Sequence, residues 1–395
     1  MSESSVAIIS YTTHSKHFNY GAVLHGYAFQ RYLAEHGCDV TVIDYIPREL
    51  EGYHLKWPIL NAGRLWRKPM LMARYFIRWS YSTRANLRKR LKFRAFFHNR
   101  MRLTDRTLTE RDLVEGNALS DRGFGLFVCE SDVIWKRREG LPLDRGFFLA
   151  FPAADRARKV AYAPSFGDRP MDKATERTFV RLVRDFAAIS CRERCGAAVV
   201  GNLLGRDIPW VLDPTLLLPA RAYAEIAIPP QESGYVLLYT CMKFNRNMVR
   251  EADAYARRLG KRLIEVGNYG IDRLVFGHRT VDDAGIEEWL GLFANADAVV
   301  CNSFHGICFS VIFGKPFYAF GRGRGDSRFS NICDALGLSD RLLDRDGRIP
   351  AAGREIDFAD VNARLATLRR RSEDFVRESI IDFCQGKTGE RDAVG

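Results

Sequence analysis

No apolar run in the 395-residue chain approaches the roughly 20 residues that a spanning helix needs, so a helical membrane protein is excluded. The start lacks leader features as well. Met-Ser-Glu-Ser-Ser precedes a brief apolar run, Val6 to Ile9, with no basic segment before it and no long apolar core, which sets the expectation of a cytoplasmic protein. The nine cysteines form an odd set without a C-x-x-C pair, and Cys129, Cys301 and Cys308 sit inside apolar runs. Buried reduced thiols are expected, not a disulfide framework, and no metal site is expected. No G-x-G-x-x-G follows the first strand, so a dinucleotide cofactor has no support. Internal repeats and low-complexity tracts are also missing. What is present is globular: 47% hydrophobic and 27% charged residues, in a chain long enough for two domains.

The formal charge of +12 is concentrated in one place. Of the 60 Lys and Arg, 13 fall between Arg64 and Arg102, where no acid occurs; the other 47 meet 48 Asp and Glu. The same segment carries Trp66, Met70, Trp79, Leu87, Leu91, Phe93 and Phe97, the last four as i, i+4 pairs that predict a helix. Basic residues interleaved with Trp and Phe suit a helix lying on an anionic membrane surface. A helical insertion packing its apolar face on the protein and solvating its arginines has the same composition. Nucleic acid would feel the same attraction, but no nucleic-acid fold signature accompanies the charge, and it is not expected as a partner.

Short apolar strands alternate with helical patterns, which predicts parallel α/β architecture. Val6 to Ser10, a helix over Tyr20 to His36 and Val40 to Asp44 make a βαβ unit. Strands are expected at Gly125 to Cys129, Lys159 to Ala163, Ala187 to Cys191 and Pro209 to Asp213, with a helix from Lys173 to Phe186. The division expected is an N-terminal domain over 1–218, a proline-containing linker over 219–234, a second α/β domain over 235–345 and a helical tail over 346–395 that returns to the first domain. In the second domain, strands are read at Tyr235 to Thr240, Arg262 to Val266, Ala298 to Cys301 and Phe317 to Phe320, and helices at Asn247 to Leu259, Ile286 to Asn295 and Phe304 to Phe313.

Ligands of open α/β sheets bind beyond the carboxyl ends of strands, where following helices present free N–H groups. Asn302-Ser303-Phe304-His305-Gly306 directly follows such a strand, placing Ser303 and His305 at the expected ligand position, with Gly306 opening the backbone to a ligand. His305 is a candidate acid, or a helix-start residue that caps backbone groups. Gly321 to Arg328 (Gly-Arg-Gly-Arg-Gly-Asp-Ser-Arg) reads either as an anion site, with Arg322, Arg324 and Arg328 as forked donors, or as a surface loop. In the N-terminal half, Asn19, Tyr20 and Gly21 open the first helix, where they can meet a substrate or serve as cap and close contact. Arg192 stands at a strand exit as a ligand-binding donor or a surface ion pair. Asp132 stands at another, as a base or a helix cap. Polar strand ends on two domains point to a reaction in the cleft between them.

In order along the chain, "NYGAVLHGYAFQRYL…G…VIDY", "FVCESDVIW", "KVAYAPSFG", "AISCRERCG", "VLDPTLLL" and "ADAVVCNSFHGICFSVIFGKPF" resemble the polysaccharide pyruvyl transferase family, over most of residues 6 to 340. The resemblance implies two Rossmann-like α/β domains in a glycosyltransferase-B-like arrangement. It also implies transfer of pyruvate from phosphoenolpyruvate, a co-substrate rather than a cofactor, to a sugar, usually as a ketal across two hydroxyls with phosphate released. The family's functional histidine falls on His305, and its donor-binding arginines on Arg192 and on one of Arg322, Arg324 or Arg328, the last being the better match. The chain departs from the family's usual "GSDQVWN" by reading Glu130-Ser131-Asp132-Val133-Ile134-Trp135-Lys136, a difference that bears on the acceptor rather than the donor.

In the implied chemistry His305 protonates C3 of the enol, the arginines hold the carboxylate and departing phosphate, and the acceptor hydroxyls approach from Asn19, Tyr20, Gly21 and Asp132. The acceptor is a saccharide of a bacterial polysaccharide or its lipid-linked precursor. Attachment through residues 64–102 would then put the enzyme on the inner face of the plasma membrane. Two other classes fit the same architecture: a glycosyltransferase with a nucleotide-sugar donor, and a non-catalytic sugar-binding protein.

Overall fold

The computed structural model describes residues 5–14, 18–51, 69–167, 171–241, 245–267, 277–321 and 327–387, with side chains except those of 69–83 and 327. Arg322, Arg324 and residues 64–68 of the basic segment lie outside it.

The first sheet is built from β1 (Ser5–Ile9), β2 (Asp39–Val42), β5 (Leu126–Glu130), β6 (Arg158–Tyr162) and β7 (Ala188–Ile189), in the order β2-β1-β5-β6-β7 and parallel throughout. Short β3 (Tyr45–Ile46) and β4 (Leu108–Thr109) form a separate parallel pair. The second sheet comprises β8 (Tyr235–Thr240), β9 (Arg262–Gly267), β10 (Arg279–Val281), β11 (Ala298–Cys301), β12 (Phe317–Gly321) and β13 (Leu342–Asp344), ordered β10-β9-β8-β11-β12-β13 and again parallel. Strands such as Ser-Val-Ala-Ile-Ile in β1 and Tyr-Val-Leu-Leu-Tyr-Thr in β8 are buried at every position. That is why they read as unbroken apolar runs: helices cover both faces of a parallel sheet.

Each sheet has one place where the chain reverses its direction of winding, between β1 and β5 in the first and between β8 and β11 in the second. At such a switch point the loops leaving adjacent strands diverge and open a crevice. The two crevices face each other. Their lips are the exits of β1 and β5 on one side and of β8 and β11 on the other.

Helix α1 (Tyr20–Glu35) follows β1, begins at the Asn19 cap, whose side chain accepts from Ala22 N–H at 3.2 Å, and ends before Gly37 at φ +84°. It is buried along most of its length because it lies between the sheets: the Tyr20 ring stacks on Trp289 at 5.3 Å, and its hydroxyl donates to the Ala284 carbonyl at 2.8 Å. The tail forms a helix over Phe358–Val376 that packs against the segment around Leu212 and Leu216. The Ser372 hydroxyl accepts from Leu212 N–H at 2.9 Å, and Arg369 Nε donates to the Leu216 carbonyl at 2.8 Å, so the tail braces the segment around Asp213.

One expectation is corrected. Pro209 to Asp213 is not a strand: its pairing is a single bridge, Cys191 with Trp210, because Pro209 lacks an N–H and Pro214 stops the run. The proline-containing stretch after 218 contains a short helix, Ala220–Ala224, whose Tyr223 is buried and donates to the Thr215 carbonyl at 2.8 Å.

Helix α2 (Pro69–Arg100) occupies the basic segment. Its described half, from Arg84 on, shows two faces. Lys89, Phe93 and Phe96 are buried, while Leu87 and Leu91 are 56% and 65% exposed. The buried face spans both domains: Lys89 Nζ lies 5.1 Å from the Tyr20 ring centroid and donates to the Gly267 carbonyl at 3.3 Å. Arg88 pairs with Asp283 at 2.6 Å, Lys92 with Glu288 at 2.6 Å and Arg100 with Glu287 at 2.9 Å. Part of the basic excess is therefore spent on acids of the second domain. The four apolar residues read as i, i+4 pairs split between the faces, Leu87 and Leu91 outward and Phe93 and Phe97 inward.

Candidate active site

A cleft of about 280 Å³ lies between the two crevices, lined by Tyr11, Phe18, Asn19 and Asp132 from the first domain and by Cys241, Ser303, Phe304, His305 and Arg328 from the second, with Arg192 at its floor. The loop after β5 enters it through two successive non-glycine residues in the left-handed region, Ser131 at φ +46° and Asp132 at φ +48°. Such residues cost about 1–2 kcal/mol each, and they are held by Ser131 N–H donating to the Tyr162 carbonyl and Ser165 N–H to the Asp132 carbonyl, both at 2.8 Å.

A chain of charged groups runs through the floor. Arg192 Nη1 lies 3.0 Å from Asp213 Oδ2, which also accepts from the Ser131 hydroxyl at 2.8 Å. His305 Nε2 is 3.6 Å from the same oxygen, buried and without a hydrogen-bond partner. The other Asp213 oxygen accepts from Thr215 N–H and hydroxyl, at 3.0 and 2.7 Å. Burial opposes charge on Asp213, but His305, Arg192 and His25 outweigh it and hold its carboxyl well below the usual range. The Arg192 guanidinium also covers the Phe304 ring at 4.7 Å.

Behind His305 stands His25, fully buried in α1, its ring stacked on that of His305 at 5.9 Å. His25 Nδ1 lies 2.9 Å from Glu130 Oε1, and Nε2 lies 3.8 Å from Asp132 Oδ2. Burial disfavours the imidazolium, yet the two carboxylates prevail and raise His25 to about 10. Asp132 is shifted down: against its burial stand His25, Arg192 and His305. Among the described residues, no group of three or more His, Cys, Asp or Glu is placed to hold a metal ion.

The residues singled out from the sequence fare differently. His305, Arg192, Ser303, Arg328, Asn19 and Asp132 line one cleft. Gly21 touches His305: a Cβ there would lie 2.0 Å from His305 Nδ1, so the glycine makes room for the ring. Gly306 turns away from the cleft, where a Cβ would meet Cys301 at 2.8 Å and Tyr239 at 3.2 Å, so its small size serves packing rather than ligand approach. Tyr20 is likewise an interdomain core residue, since its ring is taken by Trp289 and its hydroxyl by Ala284. Glu130, the departure from the family pattern, lies beneath the cleft against His25. His25 and Asp213 were missed as site residues. The available signals were an ionisable residue inside the apolar run Ala22 to Phe29, and an acid interrupting Val211 to Leu218.

The fold resembles that of UDP-N-acetylglucosamine 2-epimerase from Rickettsia bellii, with a TM-score of 0.52 and 11% identity over 97% of this chain and 98% of that one. UDP-GlcNAc 2-epimerase from Methanocaldococcus jannaschii aligns over 98% of both chains at 11% identity and a TM-score of 0.45. At 11% identity the first of these likenesses concerns the fold alone: two α/β domains arranged as in glycosyltransferase-B enzymes. No curated protein sequence matches the chain. The family model described as polysaccharide pyruvyl transferase matches residues 19–324, a span that runs from the Asn19 cap of α1 through Arg192, Asp213 and His305 and takes in both sides of the cleft. The chain belongs to the polysaccharide pyruvyl transferase family.

Proposed function

We propose that this protein transfers pyruvate from phosphoenolpyruvate to two hydroxyls of a saccharide, in a bacterial polysaccharide or its lipid-linked precursor, forming a ketal and releasing phosphate. The observation that carries the reading is the convergence of His305 and Arg192 on one oxygen of Asp213, at 3.6 and 3.0 Å, inside the matched span. A proton from His305 adds to C3 of the enol, and positive charge develops at C2. One acceptor hydroxyl adds to C2 and its proton restores the acid. The bond from C2 to the phosphate oxygen then breaks, the second hydroxyl takes its place at C2, and its proton leaves with phosphate. Arg192 and Arg328 hold the donor's anionic groups, and the start of the Phe304–Ile312 helix, with Ser303 as its N-cap, favours the charge growing on phosphate. Nothing in this sequence of steps calls for a metal or a cofactor.

The test is a product analysis by mass spectrometry, with phosphoenolpyruvate or nucleotide sugars offered beside a panel of lipid-linked oligosaccharides. Phosphate release that requires saccharide, with a pyruvate ketal on the product, is the expected result. Consumption of a nucleotide sugar instead would overturn it in favour of glycosyl transfer. In calorimetry, Arg192→Ala and Arg328→Ala should each weaken phosphoenolpyruvate binding by about tenfold or more, the scale of a lost charge-assisted hydrogen bond. Unchanged affinity in both would remove the donor assignment.

The same reading places the enzyme on the cytoplasmic face of the membrane, held by the outer face of α2. Support comes from exposed Leu87 and Leu91, flanked by exposed Arg84 and Arg94 on a helix whose other face is already packed. No described helix is long and apolar enough to cross a bilayer. Each engaged basic residue is worth roughly 1 kcal/mol near an anionic leaflet. The protein should therefore sediment with anionic vesicles at low salt, much less at high salt, and little with neutral vesicles. Recovery in the supernatant under every condition would end this assignment.

A further inference from the structure

Three further side chains of the cleft contact one another. Tyr11 follows β1, Glu49 lies in the short helix Arg48–Leu50, and Arg138 lies in the loop after β5; all three line the cleft. They form a closed triangle. The Tyr11 hydroxyl donates to Glu49 Oε1, Arg138 Nε lies 2.7 Å from Glu49 Oε2, and Arg138 Nη2 donates to the Tyr11 hydroxyl at 3.0 Å. The Arg138 guanidinium also covers the Tyr11 ring at 5.7 Å, and Phe147 backs that ring at 4.8 Å. Leu50 and Val133 supply apolar surface beside the triangle.

We infer that Tyr11, Glu49 and Arg138 form the subsite that holds a neutral polyol, the hydroxyl-bearing ring of the acceptor saccharide. This rests on the transfer reading above and names the acceptor side of the same cleft. The chemistry selects the ligand class. A carboxylate and a guanidinium that neutralise each other leave no net charge to attract a second anion, yet they present fixed acceptors and forked donors, the complement of adjacent sugar hydroxyls. The apolar neighbours fit the C–H face of a pyranose ring. The donor side differs in kind: Arg328 and the start of the Phe304–Ile312 helix favour an anion there. The cleft thus has an anion end and a polyol end, and the transferred group lies where they meet. The expected acceptor residues Asn19 and Asp132 border this subsite but are engaged locally, Asn19 as the cap of α1 and Asp132 in accepting from Val133 N–H at 2.7 Å.

The experiment measures saccharide binding and donor binding separately on the full chain. Saturation-transfer NMR with a panel of methyl hexopyranosides reads the polyol end, and calorimetry with phosphoenolpyruvate reads the anion end. Glu49→Gln and Arg138→Met should each weaken saccharide binding by about tenfold or more, with phosphoenolpyruvate affinity held within about twofold. Tyr11→Phe, which removes one hydroxyl and keeps the ring, guards against misfolding of the charged variants and should show a smaller loss of the same kind. Saccharide affinity that survives all three substitutions, a parallel fall in phosphoenolpyruvate affinity, or absence of saccharide binding by the wild type overturns the subsite. A wild type that binds saccharide through these residues but turns over no phosphoenolpyruvate would instead refute the transfer reading and leave the subsite standing.

Discussion

His305→Ala should lower kcat by at least about 100-fold, the usual worth of a positioned general acid, while the protein still melts cooperatively. The argument rests on where the ring is held. One face stacks on His25, Gly21 leaves space at Nδ1, and Nε2 lies 3.6 Å from Asp213 without a hydrogen-bond partner. A buried polar atom left without a partner is costly to the fold, and such positions are kept where a reaction uses them. Steady-state kinetics with phosphoenolpyruvate and the acceptor identified by product analysis gives the number. If more than about a tenth of kcat survives, the proton comes from elsewhere.

The largest loss of stability is expected at His25. Removing it in His25→Leu leaves the Glu130 carboxylate buried without its partner, a change that typically costs about 3–5 kcal/mol. Replacing both residues, as in His25→Leu with Glu130→Leu, should recover much of that loss, because apolar groups in place of a buried ion pair are often tolerated. Denaturant titration of the two variants against the wild type measures both effects. A single-variant loss below about 1 kcal/mol would show that no charge is compensated there. The pH dependence follows from the same pair. His25 is raised from 6.5 to about 10 in the folded protein, and burial pushes Glu130 in the same direction. A raised folded value means that the native state keeps its proton longer than the unfolded chain. The contribution is therefore complete below 6.5 and fades as the pH climbs through about 10. The stability gap between wild type and His25→Gln should narrow over that interval.

Much of this arrangement was legible in the sequence because parallel strands buried on both faces are written as short apolar runs. Their exits then mark the ligand crevice, so Arg192, Ser303 and His305 could be found from strand ends alone. Gly306 and Tyr20 were misread for one reason. They stand beside true cleft residues, but on a helix neighbouring positions face different directions, and sequence adjacency does not reveal which side meets the cleft. His25 was hidden by its surroundings, since a histidine in the run Ala22 to Phe29 looks like any buried helix residue until Glu130 and Asp132 are brought to it from another strand. The triangle of Tyr11, Glu49 and Arg138 was illegible for the same reason. Two loops and a short helix supply it, and only the folded backbone brings them together.

The glycine at position 21 has a further consequence. It belongs to a helix of the first domain, whereas the ring it accommodates belongs to a helix of the second. Asp213 and His25 reach that ring from the first domain too. Neither half alone therefore holds the imidazole beside both its carboxylate and its stacking partner: the arrangement is shared across the seam between the domains, and a substitution on either side that loosened the seam would disturb it.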